Sequence, residues 1–210
     1  MLPSVWEYCQ KHIAAGRSWP ACPWDRTIPL YPFKLLELWH LLQIEKPRKI
    51  LELGSGCTTA VFALYGAHPF ITVDENQEYQ DAIYQDLMAV GLPPVSRLFS
   101  ERRQNDDGKD RRCNYNGIWN LEIAKELDFL YVDGPTNHMG KNDFAVCIDA
   151  CLMNLSPPRT IAFDIRRESS AYAEKFYGES YHWEHTCWSE KDVPWYLSAA
   201  RHHTVARRRA

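Results

Sequence analysis

The chain has 210 residues, 45% of them hydrophobic, which is enough to bury the core of one compact domain. A formal net charge of −3 argues against a general attraction to nucleic acid or to an anionic membrane surface. No run of about 18 apolar residues would cross a bilayer, and charged side chains interrupt residues 1–16, where a secretory signal needs an apolar stretch. The composition therefore predicts a cytoplasmic protein without a membrane or nucleic-acid partner.

Seven cysteines, without a CxxC pair, are typical of reduced thiols. Cys147 and Cys151 lie one helical turn apart, and together with His182 and His185 they offer the side chains of a zinc site. The same two cysteines also belong to an apolar stripe typical of a packed helix over residues 144–155. We favour the packed helix.

Residues 1–47 are predicted to form a helical cap. Ser4 and Glu7 have the spacing of a capping box, and Gly16 suits a helix end. Prolines and aromatic residues follow and favour an extended loop. A second helix is predicted over residues 34–43, where leucines and a tryptophan share one face.

From residue 48 to residue 201 short apolar runs alternate with amphipathic segments. The runs KILEL, FITV, SRLF, DFLYV and TIAF are typical of a parallel sheet with helices on both faces. Two later runs, YHWEHTCW and PWYLSAAR, are predicted to form an antiparallel pair at the sheet edge. The polar stretch 100–117 is predicted as a mobile loop, and residues 202–210 as a solvated basic tail.

The stretch LELGSGCTT turns from the first strand into a helix. Gly54 and Gly56 permit a sharp turn with a ligand against the main chain, and Thr58 or Thr59 can cap the helix. A dinucleotide prefers Gly-x-Gly-x-x-Gly, and Thr59 stands at the third glycine. Asp74 ends the second strand, twenty residues after Gly54, where a carboxylate binds ribose hydroxyls or caps the next helix.

This stretch resembles the first motif of class I S-adenosylmethionine-dependent methyltransferases, an acid and a hydrophobe followed by Gly-x-Gly-x-Gly, with Thr58 in place of the last glycine. The resemblance implies a doubly wound, Rossmann-like α/β fold with a mostly parallel seven-stranded sheet and an antiparallel last strand. It also implies S-adenosyl-L-methionine as the cofactor, with Glu52 near its amino-acid end and Asp74 on its ribose. The full set of implied cofactor-binding residues is Glu52, Gly54, Ser55, Gly56, Thr58, Asp74, Glu75, Ser100, Glu101 and Asp133.

A second motif, DFLYVDGPTNHMGKNDF, resembles a segment of small O-methyltransferases, with Asp133 at the strand end and His138 as the matching histidine. The run TIAFDIRRE ends in Asp164, and Arg167 follows three residues later. The resemblance implies that these four residues prepare the acceptor. Either Asp133 and Asp164 hold Mg²⁺, or Asp133 or His138 takes the acceptor proton directly. Ile165 stands where metal-dependent relatives have a third oxygen ligand.

Methyl transfer to a hydroxyl of a small-molecule or saccharide acceptor is the activity that the resemblance implies. Nucleic acid is disfavoured, because Asp-Gly-Pro-Thr replaces the Asn/Asp-Pro-Pro-aromatic segment of base methyltransferases and no basic stripe flanks it. Aromatic residues of the segment 19–33 either cover the acceptor or pack the cap on the sheet. Two alternatives stay open: a binding or scaffold domain without catalysis, and a nicotinamide-dependent oxidoreductase, against which Thr59 argues. The acids also have structural interpretations, as turn formers or members of surface ion pairs.

Overall fold

The computed structural model describes residues 32–89, 91–104, 113–115, 122–134, 157–164, 167–185 and 203–210. The strands in these ranges are β1 Ile50–Leu53, β2 Phe70–Asp74, β3 Ser96–Phe99, β4 Arg102–Gln104, β5 Cys113–Tyr115, β6 Phe129–Val132, β7 Thr160–Asp164, β8 Tyr181–Glu184 and β9 His203–Arg208. The helices are α1 Pro32–Glu45, α2 Cys57–Tyr65, α3 Gln77–Ala89, α4 Arg167–Tyr177 and a 3-10 helix over Glu122–Glu126.

The main sheet has seven strands in the order β3-β2-β1-β6-β7-β9-β8. Every neighbouring pair is parallel except the two that include β9, which is antiparallel to both β7 and β8. This architecture confirms the doubly wound α/β fold with an antiparallel last strand. The strand order reverses between β1 and β6, and open α/β sheets bind ligands in the crevice at such a reversal.

Apolar side chains pack on both faces of the sheet, because parallel strands are covered on each side. On one face α1, α2 and α3 contribute Leu38, Phe62 and Ile83 to a cluster that includes strand residues such as Ile50. The second face carries a cluster that includes Leu51, Tyr115, Phe163 and Ala173 of α4. The central strands are thus held between two helical layers. Among the described helices, none has the length and apolarity needed to cross a membrane.

The second predicted cap helix is confirmed as α1, which extends the predicted range by two residues at each end. It lies along β9 and is joined to it at two points. Glu37 Oε2 is 3.1 Å from His203 Nδ1, and Glu45 Oε1 accepts a hydrogen bond of 2.6 Å from Arg207 Nε. The rest of the predicted cap, residues 1–31, lies outside the described residues.

The prediction of a solvated tail over residues 202–210 is wrong for residues 203–208, which form β9 in the interior of the sheet. His203, Thr204, Val205 and Ala206 are buried. Arg207 is tolerated at the end of the strand because Glu45 and Glu184 both accept hydrogen bonds from its guanidinium. The run PWYLSAAR, predicted as the last strand, lies outside the described residues, whereas its predicted partner is confirmed over β8.

The predicted mobile loop over residues 100–117 is also corrected. Its described ends form a separate antiparallel hairpin, in which Arg102 pairs with Tyr115 and Gln104 with Cys113. Tyr115 is fully buried in the second apolar cluster. The prediction failed at Tyr115 because the residues around it in the sequence are polar, although its own side chain belongs to the core. Residues 105–112 and 116–117 lie outside the described ranges.

Two alanine-to-aspartate substitutions distinguish an interior strand from a solvated tail. Ala206→Asp places an unpaired carboxylate at a position that is 0% exposed, so we expect the free energy of unfolding to fall by about 3 kcal/mol or more. The control, Ala210→Asp, alters an exposed residue four positions later and should change it by less than about 0.5 kcal/mol. Urea unfolding of both variants measures this. Equal effects would contradict the position of β9.

Candidate active site

Two glycine turns meet at the crevice between β1 and β6. Gly54 has φ of 91°, in the left-handed region that favours glycine. A Cβ atom on Gly54 would lie 2.5 Å from Gly134 N, and one on Gly134 would lie 2.6 Å from Gly54 Cα. The two backbones are therefore in direct contact, and only glycine fits at either position. We call this pair, Gly54 and Gly134, the glycine floor of the crevice.

The backbone amides of the turn after β1 are all used inside the protein. Gly54 N–H donates to Val73 O at 2.8 Å, Ser55 N–H to Asp74 Oδ2 at 2.8 Å, and Gly56 N–H to Thr59 Oγ1 at 2.9 Å. A turn that binds phosphate keeps such amides directed at the ligand. The amides of residues 54–56 are therefore not available to a pyrophosphate.

Glu52, two residues before Gly54, is 0% exposed and supports the turn from within the fold. Thr58 Oγ1 donates to its Oε1 at 2.6 Å, and Thr59 Oγ1 donates to its Oε2 at 2.7 Å. Burial raises the pKa of Glu52 to about 7, although the threonine hydroxyls oppose the shift by bonding the carboxylate. Both oxygens thus hold the start of α2 against β1.

Asp74 is the carboxylate closest to the turn, and it is 5% exposed. Its Oδ2 accepts the amide of Ser55 and its Oδ1 accepts the amide of Asn76, each at 2.8 Å. Each carboxylate oxygen can accept a second hydrogen bond, so Asp74 retains acceptor capacity for a ligand. Burial raises its pKa to about 6, and the backbone amides limit the rise. Asn76, rather than Asp74, caps α3 by accepting the Tyr79 amide at 2.9 Å.

Gln80 is a buried site residue that the sequence analysis missed. Its Nε2 donates to Ser55 Oγ at 3.1 Å and to Thr72 O at 3.2 Å, while the Ser55 and Thr72 hydroxyls are 2.7 Å apart. This network fixes the turn to β2 and directs the Ser55 hydroxyl into the protein. Gln80 shares its helix face with Ile83 and Leu87, a position at which a polar residue signals a specific buried partner.

The remaining cofactor candidates lie near the end of β2. Ser100 is buried, and its amide donates to Asp74 O at 2.9 Å, which brings the end of β3 beside Asp74. Glu75 is half-buried, and Glu101 is exposed. Asp74 and Ser100 therefore share one wall of the crevice.

Asp133 follows β6 and Asp164 ends the neighbouring strand β7, at the same edge of the sheet. Asp133 N–H donates to Leu53 O at 2.7 Å, which ties the turn after β6 to β1. The β6–β7 register pairs Val132 with Phe163, so the two acids follow at adjacent positions, and Asp164 in turn pairs with His203 of β9. Asp133 is half-buried and Asp164 is buried.

Less can be said of the other two residues predicted to prepare the acceptor substrate. Arg167 is the first residue of α4, just after β7. His138 lies outside the described residues.

A buried hydrogen-bonded chain of Tyr131, His203 and Glu37 lies next to these acids. Tyr131 Oη is 3.1 Å from His203 Nε2, and His203 Nδ1 is 3.1 Å from Glu37 Oε2. Burial, reinforced by the negative charges of Asp164 and Asp133, raises the pKa of Tyr131 well above 10. The phenol therefore keeps its proton. Because a carboxylate accepts hydrogen bonds, the contact with Glu37 favours a hydrogen on His203 Nδ1. The sequence analysis missed this chain because His203 was assigned to the tail.

The described residues do not form a metal site. Among them, no group of three histidine, cysteine or acidic side chains is arranged as ligands. Asp133 and Asp164 are the two carboxylates of the Mg²⁺ prediction, which stays a prediction. His182 is exposed on β8, and His185 Nε2 is 3.3 Å from Glu174 Oε1. The two cysteines of the zinc alternative, at 147 and 151, lie outside the described ranges.

Comparison with protein families and with curated protein sequences found no match. Several solved structures are similar in fold. The O-methyltransferase TomG from Streptomyces achromogenes, solved in complex with SAM, is 14% identical, with a TM-score of 0.54 over 100% of this chain and 92% of TomG. The methyltransferase domain of bacterial CtHen1 is 14% identical, with a TM-score of 0.53 and coverages of 82% and 96%. A putative RNA methyltransferase from Pyrococcus horikoshii is 16% identical, with a TM-score of 0.52 and coverages of 98% and 94%. The chain therefore has the Rossmann-like fold of these methyltransferases.

The raised pKa of Glu52 predicts a pH-dependent stability. The folded protein binds more protons than the unfolded chain between the ordinary pKa of 4.5 and about 7, so ionisation of Glu52 lowers the free energy of unfolding as the pH rises through this window. Glu52→Gln removes this loss while keeping the shape of the side chain. Relative to wild type, the variant should gain up to about 3 kcal/mol between pH 4.5 and pH 7.5.

Urea unfolding at several pH values measures this gain. Glu78→Gln, which alters an exposed glutamate of α3, is the control and should differ from wild type by less than about 0.5 kcal/mol. If the free energies of unfolding of Glu52→Gln and wild type differ by the same amount at every pH, the raised pKa of Glu52 is contradicted.

Proposed function

We propose that the protein is an S-adenosyl-L-methionine-dependent methyltransferase that methylates a hydroxyl oxygen of a small-molecule or saccharide acceptor. The observation that carries this proposal is the turn after β1. Its three amides are bonded within the protein, whereas a buried carboxylate with acceptor capacity, Asp74, lies directly beside it. The turn is therefore built to accept hydrogen bonds rather than to donate them.

This polarity favours one kind of nucleotide cofactor over another. A dinucleotide presents a pyrophosphate, which needs amide donors at the helix start. S-adenosylmethionine has no phosphate. Its sulfonium, its ammonium and its two ribose hydroxyls favour carboxylate or carbonyl oxygens, and its single carboxylate needs fewer donors than a pyrophosphate does. The position of Asp74 suits the ribose hydroxyls, and that of Asp133, across the glycine floor, suits the cationic part of the cofactor.

The other candidates have supporting roles in this proposal. Glu52 and Thr58 hold the turn in shape, because their side chains bond each other rather than the crevice. Ser100, with Glu75 and Glu101 nearby, lies toward the adenine. Because neither residue of the glycine floor has a side chain, the cofactor can lie directly against the main chain there.

In the proposed reaction the acceptor oxygen attacks the methyl carbon in line with the carbon–sulfur bond. That bond breaks, its electron pair stays on sulfur, and S-adenosylhomocysteine leaves as a neutral thioether. The acceptor proton passes to a carboxylate at the same edge, Asp133 or Asp164, or to His138. Arg167 is always protonated, so its proposed role is to bind and orient the acceptor. The proposed step needs no metal ion, because a protein group at the site takes the proton.

The fold similarity supports the methyltransferase proposal. The likeness to TomG and the D-G-P segment after β6 support an oxygen acceptor.

Isothermal titration calorimetry with S-adenosylhomocysteine tests the cofactor. We expect wild type to bind it and not to bind NAD. Asp74→Asn should weaken binding at least about tenfold, because an NH₂ group replaces one of the two accepting oxygens and can accept neither a backbone amide nor a ribose hydroxyl. Glu78→Gln, exposed on the neighbouring helix α3, is the matched control and should bind as wild type does.

A 2′-deoxy analogue of S-adenosylhomocysteine separates ribose contact from general damage. Wild type should bind the analogue about tenfold more weakly than the parent ligand, whereas a folded Asp74→Asn variant should bind both alike. Absence of binding to wild type, or equal discrimination in both proteins, would overturn the proposal.

A further inference from the structure

The hairpin β4–β5 brings a tyrosine to the crevice from a segment that is otherwise polar. Tyr115 ends β5, pairs with Arg102 and is 0% exposed. It belongs to the same buried cluster as Leu53 and Val132, the last residues of β1 and β6. The side chain therefore packs beneath the two strand ends from which the glycine turns begin.

The Tyr115 hydroxyl occupies the space that a side chain at position 134 would need. A Cβ atom built on Gly134 would overlap this oxygen, just as it would overlap the backbone of Gly54 at 2.6 Å. Gly134 is thus enclosed between Gly54 and Tyr115. The turn that carries Asp133 cannot move toward the hairpin without meeting the phenol.

We propose that Tyr115 is a positioning residue of the crevice, which holds the glycine floor together and fixes Asp133 beside the cofactor. The proposal rests on the proposed function, since it assigns Tyr115 to the S-adenosylmethionine site. Tyr115 acts through Gly134 and Asp133 and does not itself contact the ligand. Its hydroxyl limits the separation of the turns after β1 and β6, and preorganised contacts of this kind preserve ligand affinity.

Two tyrosine-to-phenylalanine variants test this role. Tyr115→Phe removes only the hydroxyl at the glycine floor. Tyr181→Phe is the matched control, because Tyr181 is equally buried in the same cluster but lies on the edge strand β8, where its hydroxyl donates to Pro158 O at 2.7 Å. We expect Tyr115→Phe to weaken S-adenosylhomocysteine binding at least about fivefold, and Tyr181→Phe to change it less than about twofold.

Hydrogen exchange of the Asp133 amide gives a second measurement that needs no ligand. This amide bonds Leu53 O across the floor, so its exchange reports separation of the two turns. Relative to the amides of β7, it should exchange at least about fivefold faster in Tyr115→Phe and unchanged in Tyr181→Phe.

The outcomes separate the two proposals. If wild type binds the ligand but Tyr115→Phe binds equally well, or Tyr181→Phe weakens binding as much, the role of Tyr115 is overturned. If wild type does not bind, the proposed function fails, and the exchange data alone decide: equal Asp133 exchange in both variants overturns the positioning role, and faster exchange in Tyr115→Phe alone supports it.

Discussion

The contact between Gly54 and Gly134 is the constraint on which the site depends. It joins the turns after the two strands that flank the strand-order reversal, so a Cβ atom on either residue would force β1 and β6 apart. The Asp133 amide and Leu53 carbonyl bond across the same point. Close backbone approach leaves the crevice without side chains at its base, which is the shape that a ligand lying on the main chain requires. Asp133 follows β6 directly, so its position depends on this contact.

Ionised carboxylates inside the fold lower the stability of the folded protein, and the surrounding hydrogen bonds only partly offset this loss. Glu52 and Asp74 both have raised pKa values because burial disfavours their ionised forms. The threonine hydroxyls around Glu52 and the backbone amides around Asp74 donate hydrogen bonds that favour the ionised forms and so limit the rise in pKa. The chain thus keeps two acids next to one turn at the expense of stability at neutral pH. For Asp74 the proposed function gives this cost a use, because a carboxylate beside the turn can accept the ribose hydroxyls.

The strands β1, β2, β6 and β7 could be predicted from the sequence because each is a short apolar run next to a glycine turn or an amphipathic helix. The positions of Asp74, Asp133 and Asp164 followed, since the carboxyl ends of parallel strands share one edge. Tyr115 and His203 could not be placed this way. Both lie in polar segments, and their burial is decided by partners distant in sequence, such as Tyr131, 72 residues from His203. The composition of a segment indicates its local polarity and does not show which distant residues it will contact.

The two contacts between α1 and β9 link the first described helix to the last strand. Eight helical residues separate Glu37 from Glu45, a rise of about 12 Å, and four strand residues separate His203 from Arg207, about 13 Å. The two spans match, so both contacts form together. Glu45 and Arg207 are 162 positions apart, and this closure is among the most non-local in the protein. Because non-local contacts form slowly, the docking of α1 on β9 is expected to be a late step of folding. During synthesis on the ribosome this contact forms only after β9 has emerged.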